Sequence, residues 1–124
     1  MGIGTPEYIF TAVENGIDMF DCVYPTRIAR NGSVFTRQGI LDLKKSRFEL
    51  EQEPIDENCQ CPACKRYSRS YLRQLFKAKE ILGPMLATIH NLSFLHKLMI
   101  EIRESIQENR FTEYKKSFLN EYLG

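Results

Sequence analysis

Cys59-Gln60-Cys61-Pro62-Ala63-Cys64 packs three of the chain's four cysteines into six residues. A disulfide uses two thiols, so this loop has one too many for a simple bridge. Three thiolates in one tight turn suit a tetrahedral zinc ion, which then needs one further soft ligand. Cys22, His90 and His96 are the only other cysteine and histidines in the chain. Whichever completes the site, the metal ties the loop to a segment distant in sequence.

The remaining composition narrows the setting. At 124 residues the chain can bury one modest core, with 43% hydrophobic and 27% charged residues, as in ordinary globular proteins. The 17 Lys and Arg against 16 Asp and Glu leave a net charge of +1, so any nucleic-acid contact has to come from local clustering. No apolar run reaches the roughly 18 residues of a membrane span, and the N-terminus carries no signal-peptide pattern. A cytoplasmic, reducing setting without a membrane partner is the expectation. There, clustered cysteines read as metal ligands.

The chain opens on Met1-Gly2-Ile3-Gly4, which reads as the end of a strand. Thr5-Pro6-Glu7 has the cap, proline and acid of a helix start. That helix carries Ile9, Phe10 and Val13 on one side and stops near Asn15-Gly16. Ile17 to Val23 is a short apolar run that fits a buried parallel strand. A strand, helix and strand in succession belong to an alternating α/β fold. Such strands are not stable alone, so the chain reads as part of a larger array. Pro25 to Gly32 reads as a loop, and Ser33–Thr36 and Ile40–Leu43 flank a tight turn and read as a hairpin.

An acidic stretch, Glu49 to Glu57, leads into the cysteine loop, and the rest is helical. Tyr71, Leu72, Leu75 and Phe76 form a first stripe. Met85, Ile89, Leu92, Leu95, Met99, Ile102 and Ile106 form a second after Gly83-Pro84. Phe111, Tyr114, Phe118 and Tyr122 form a third.

Residue chemistry alone disfavours Cys22 as the fourth ligand, since a thiol inside an apolar strand packs as a small hydrophobe. Between His90 and His96 periodicity leans only weakly to His90, because His96 lies beside the second stripe. Both stay open on these grounds.

Two longer motifs carry a resemblance. Gly16-Ile17-Asp18-Met19-Phe20-Asp21-Cys22-Val23-Tyr24-Pro25-Thr26-Arg27-Ile28-Ala29-Arg30-Asn31-Gly32 resembles the active-site signature of bacterial tRNA-guanine transglycosylases, the queuine tRNA-ribosyltransferases. The cysteine loop together with Thr88-Ile89-His90-Asn91 resembles that family's zinc site, and the likeness runs over essentially the whole chain. It implies the C-terminal part of a (β/α)8 barrel with an inserted zinc subdomain and C-terminal helices. Residues 1–32 would be the last strand–helix–strand segment, and residues 33–124 the hairpin, zinc subdomain and helices. The implied ligands of one structural Zn2+ are Cys59, Cys61, Cys64 and His90.

The resemblance also implies a chemistry. Asp21, near the end of its strand where barrel enzymes place catalytic groups, would be the nucleophile; Asp18 would be outside that role. A carboxylate attacks the anomeric carbon of a guanosine at the wobble position of the tRNA anticodon and expels guanine. A 7-deazaguanine, queuine or its precursor, then displaces the carboxylate, in two steps like those of retaining glycoside transfer. A second acid–base group must protonate the leaving base. In the family it lies before the region this chain resembles, so the chain alone is expected to be inactive.

Thr26, Arg27, Ile28, Ala29 and Arg30 correspond to a segment that reads anticodon-loop bases. Two guanidinium groups three residues apart suit phosphate contacts or stacking on unpaired bases. Gly2, Ile3, Gly4, Thr5, Pro6, Glu7 and Tyr8 correspond to a second RNA-contacting loop, and Met1 to a residue that stacks on the bound base. The partners implied are the tRNA anticodon loop and a guanine or 7-deazaguanine base. Unsatisfied strand edges and apolar helix faces add an expectation of self-association or a homodimer. A different class, a zinc-containing module that binds RNA or protein without catalysis, remains the alternative.

Overall fold

Asn31-Gly32 is where the described part of the chain first turns back on itself. The computed structural model describes residue 6, residues 9–10, residues 24–57 and residues 59–123. The expected strand Ile17 to Val23, with Asp18, Asp21 and Cys22, lies outside the described residues, as do Met1 to Thr5, Glu7, Tyr8, Val13 and the helix stop at Asn15-Gly16. Pro6, Ile9 and Phe10 are helical and buried, as expected for the helix that carries Ile9 and Phe10 on one side.

The segment expected as a loop from Pro25 is instead the helix α1, Tyr24–Arg30. Proline in a first turn costs no hydrogen bond, and Ile28 and Ala29 supply an inward face. Gly32 closes the helix with φ 88°, a backbone conformation that disfavours any side chain. Its N–H donates to the Ala29 carbonyl at 3.0 Å.

Strands β1, Ser33–Thr36, and β2, Gly39–Asp42, pair antiparallel with Thr36 opposite Gly39 and Ser33 opposite Asp42. The hairpin is thus as expected, with Arg37-Gln38 as a two-residue loop and Gly39 supplying φ 114°. It is the only sheet among the described residues. A short 3₁₀ turn, Ser46–Phe48, and the irregular acidic stretch follow.

Four helices complete the chain: α2, Pro62–Arg66; α3, Arg69–Lys77; α4, Leu82–Gln107; and α5, Phe111–Leu123. Ser68 caps α3 by accepting from the Tyr71 N–H at 3.1 Å. Asn109, at φ 58°, turns the chain between α4 and α5. Helix α4 touches α1, α2, α3, α5 and β1, so it is the mast of this part of the molecule.

Two cores form on either side of β1, because successive strand residues point to opposite faces. Val34 joins Ala29, Leu43, Ile55, Leu72 and Leu86 around the cysteine loop. Phe35 joins Ile9, Phe10, Phe94, Leu98, Ile102 and Phe118 against α5. Each large apolar side chain so buried contributes about 1.5–3 kcal/mol. The stripe Phe111, Tyr114, Phe118 and Tyr122 faces this second core as expected.

Two stripes differ from expectation. On α4 the buried face is Leu86, Ala87, His90, Asn91, Phe94, Leu98, Ile102 and Ser105. Of the expected seven, Ile102 is buried and Leu95 and Met99 pack partly, while Met85, Ile89, Leu92 and Ile106 are exposed. The helix is apolar on nearly all sides, so periodicity does not mark which side the polar pair His90-Asn91 pulls inward. On α3, Tyr71 is exposed and stacks on Tyr67 at 5.0 Å, while Arg73 is buried and donates from Nε to the Lys45 carbonyl at 3.0 Å.

Candidate metal centre and the arginine helix

Cys61 begins the site as the cap of α2. Its Sγ accepts from the Cys64 N–H at 3.4 Å, and the Cys61 N–H donates to Cys59 Sγ at 3.4 Å. Pro62 occupies the first turn, where a missing N–H leaves nothing unsatisfied. These N–H···S contacts curl the loop so that all three sulfurs face inward. Helix α4 brings up His90, which is fully buried.

His90 Nδ1 lies 3.6, 3.5 and 3.3 Å from the sulfurs of Cys59, Cys61 and Cys64. The four donor atoms all lie within 4.8 Å of one another. Zinc bonds of about 2.3 Å to sulfur and 2.0–2.1 Å to nitrogen, at the tetrahedral angle, separate S and N by about 3.6 Å. The donor set and its spacing therefore fit zinc.

Two electrostatic features agree. Hydrogen bonds from Cys59 and Cys64 pull the Cys61 thiol down to about 3, while hydrogen bonding with Cys59 and Cys61, and burial, push Cys64 up. One thiolate is thus favoured without a metal, and three together need a cation to balance them.

The opposite face of the imidazole is held as well. Its Nε2–H donates to the Phe35 carbonyl at 2.6 Å, which leaves Nδ1 as the lone-pair donor aimed at the sulfurs. Asn91, also fully buried, grips the same strand: its Oδ1 accepts from the Phe35 N–H at 3.0 Å and its Nδ2 donates to the Ser33 carbonyl at 3.2 Å. Sequence reasoning identified His90 but missed Asn91 and the Phe35 carbonyl. A backbone acceptor has no sequence mark, and only its place beside His90 pointed to Asn91. His96 is exposed on α4 and takes no part in the cluster.

Beside the centre, Arg37 donates its backbone N–H to Asp56 at 3.0 Å and its Nη2 to Glu101 at 2.8 Å. Tyr114 hydrogen-bonds the same Glu101 oxygen, and burial followed by this bond raises its phenol above the ordinary range. The Arg37 guanidinium also lies 5.2 Å over the Phe118 ring. These contacts tie the hairpin loop to both α4 and α5.

Helix α1 carries the expected RNA-contacting segment. Arg27 and Arg30 are exposed, Ile28 packs partly on the second core, and Ala29 is fully buried. Two guanidinium groups therefore project from a helix whose other side is anchored.

The fold and centre define a metal-stapled subdomain in which a Cys3His site joins a knuckle loop to a long helix and, through that helix, to a hairpin. A sequence profile described as queuine tRNA-ribosyltransferase matches residues 1–124. The chain is 56% identical over all 124 residues to a queuine tRNA-ribosyltransferase of Caldanaerobacter subterraneus, covering 33% of that protein. It is 53% identical over 122 residues, 98% of the chain and 32% of the relative, to that of Treponema denticola. Clostridium botulinum has another at 53% identity over 124 residues, again 33% of the relative. The chain belongs to the queuine tRNA-ribosyltransferase family. It spans about a third of the length of the curated relatives it matches. No helix among the described residues is long and apolar enough to cross a membrane.

Proposed function

We propose that this chain contributes nucleophile, anticodon-loop contacts and zinc subdomain to a tRNA-guanine transglycosylase of queuosine biosynthesis. The observation that carries the reading is the family match over all 124 residues, with the family's zinc cluster assembled in the structure. Residues 1–32 belong to the family's (β/α)8 barrel and residues 33–124 to the subdomain and terminal helices. Asp21 attacks the ribose anomeric carbon, guanine leaves as the C–N bond breaks, and tRNA is held as an ester-like glycosyl adduct. The incoming 7-deazaguanine breaks that bond and frees the carboxylate. Arg27 and Arg30, both exposed, read the anticodon loop, together with the segment Gly2 to Tyr8, and Met1 stacks on the base.

Zinc supplies no chemistry in this scheme; its ligands hold the subdomain in shape. The setting is cytoplasmic, and self-association through exposed groups such as Tyr71 and Met85 is part of the proposal. Guanine protonation and the base pocket require groups that the resemblance places outside this chain, so the 124 residues alone are expected not to exchange guanine.

The test is an Asp21→Asn variant in a protein of full family length carrying this sequence. Covalent tRNA trapping and labelled-guanine exchange should both vanish, while zinc content stays unchanged. Exchange at the parent rate would assign the nucleophile elsewhere.

A further inference from the structure

Charge is sharply segregated along the described chain. Residues 24–48 hold Arg27, Arg30, Arg37, Lys44, Lys45 and Arg47 with Asp42 the sole acid, and residues 49–57 hold five acids and no cation. The hairpin folds the two ends of the basic stretch together. The Leu43 N–H donates to the Gly32 carbonyl at 2.8 Å, and Ser33 pairs with Asp42. The Lys44 stem lies across Gly32, with Cγ 3.1 Å from where a β-carbon there would stand. Lys44 is thereby set beside the end of α1, two residues past Arg30.

The turn that follows is entirely exposed from Lys44 to Arg47. Its position is rigid: Phe48 is buried beneath it, and Arg73 holds the Lys45 carbonyl. Three cations elsewhere are paired with acids, Arg37 with Glu101, Arg69 with Glu51 and Arg110 with Glu108. Arg27, Arg30, Lys44, Lys45 and Arg47 form no ion pair among the described residues. Lys44, Lys45 and Arg47 thus stay exposed in a fixed turn, and Lys44 joins that turn to the end of the helix bearing the exposed Arg27 and Arg30.

We propose that Lys44, Lys45 and Arg47 continue the arginine face of α1 into one track for an RNA backbone. Arg27 and Arg30 contact the unpaired loop, while the Lys44–Arg47 turn takes phosphates of the adjoining stem without reading its sequence. This rests on the RNA reading above and adds to it a second element, from the zinc subdomain side of residue 32.

The test measures binding of an anticodon stem-loop RNA by the 124-residue zinc-loaded chain as a function of salt. Lys44→Gln/Lys45→Gln should weaken binding equally for loops of different sequence and lower the slope of log K against log salt by about 2. Arg27→Gln/Arg30→Gln should instead weaken binding while altering preference among loop sequences. Unchanged affinity and slope in the lysine variant, with loss in the arginine variant, would overturn this inference and leave the RNA reading standing. Loss in neither, or no RNA binding by the parent chain, would overturn both. Binding of phosphatidylserine vesicles in place of RNA, lost on the same lysine changes, would also overturn it.

Discussion

His90 donates its Nε2–H to the backbone carbonyl of Phe35 at 2.6 Å, from the N-terminal half of α4 to β1. That one bond makes the hairpin an outer support of the metal centre. The imidazole bridges the two cores, with sulfur on one side and strand backbone on the other.

Metal loading should follow His90 and ignore His96. Freshly purified protein is expected to carry one zinc per chain by elemental analysis. His90→Ala should lose it and His96→Ala should keep it. Removal of zinc should melt the subdomain around α2 and the start of α4, seen as lost helical circular dichroism. Full zinc in His90→Ala would contradict the Cys3His assignment.

Asn91 should matter to the metal without touching it. Asn91→Ala frees the Phe35 N–H and the Ser33 carbonyl from their partner, so the strand that orients His90 loses its register. Zinc affinity in competition with a chromophoric chelator should drop by about 10–100-fold. Parent affinity in a folded Asn91→Ala protein would restrict its role to packing.

The inward face of α4 is testable by paired truncations. Ile102→Ala should cost about 2–5 kcal/mol in denaturant unfolding of the zinc-loaded chain. Met85→Ala, on the exposed face, should stay within about 0.5 kcal/mol. Reversed magnitudes would restore the stripe that periodicity alone suggested.

Tyr114 gives a pH signature. Its phenol is raised in the folded state by burial and by Glu101, so the folded protein holds that proton more tightly than the unfolded chain. The stabilisation is complete below the ordinary tyrosine value of about 10 and declines as pH climbs above it. Tyr114→Phe should cost about 1.5–3 kcal/mol at neutral pH, the range for a hydrogen bond to a charged acceptor, and flatten the decline above pH 10. An unchanged alkaline profile would count against the Tyr114–Glu101 bond.

Much of the site was legible in residue order. Cys59, Cys61 and Cys64 lie so close that local geometry nearly dictates three ligands, and Arg37-Gln38-Gly39 marked its hairpin turn because few residues tolerate the backbone needed there. The aromatic stripe of α5 also stood out, since its other face is polar. These features depend on neighbours in sequence.

The tertiary structure decided the rest. Tyr24–Arg30 became a helix because Ile28 and Ala29 found cores to enter, though proline and arginines alone suggested a loop. The inward face of α4 was hidden because that helix is apolar almost all round; the hairpin's polar backbone and the cysteine sulfurs together select the side bearing His90 and Asn91. From residue chemistry alone His90 and His96 stayed nearly equal, and only the family's motif pointed to His90. What separates them physically is closure over 26 to 31 residues between loop and helix, and a carbonyl on β1, neither of which has a local signature.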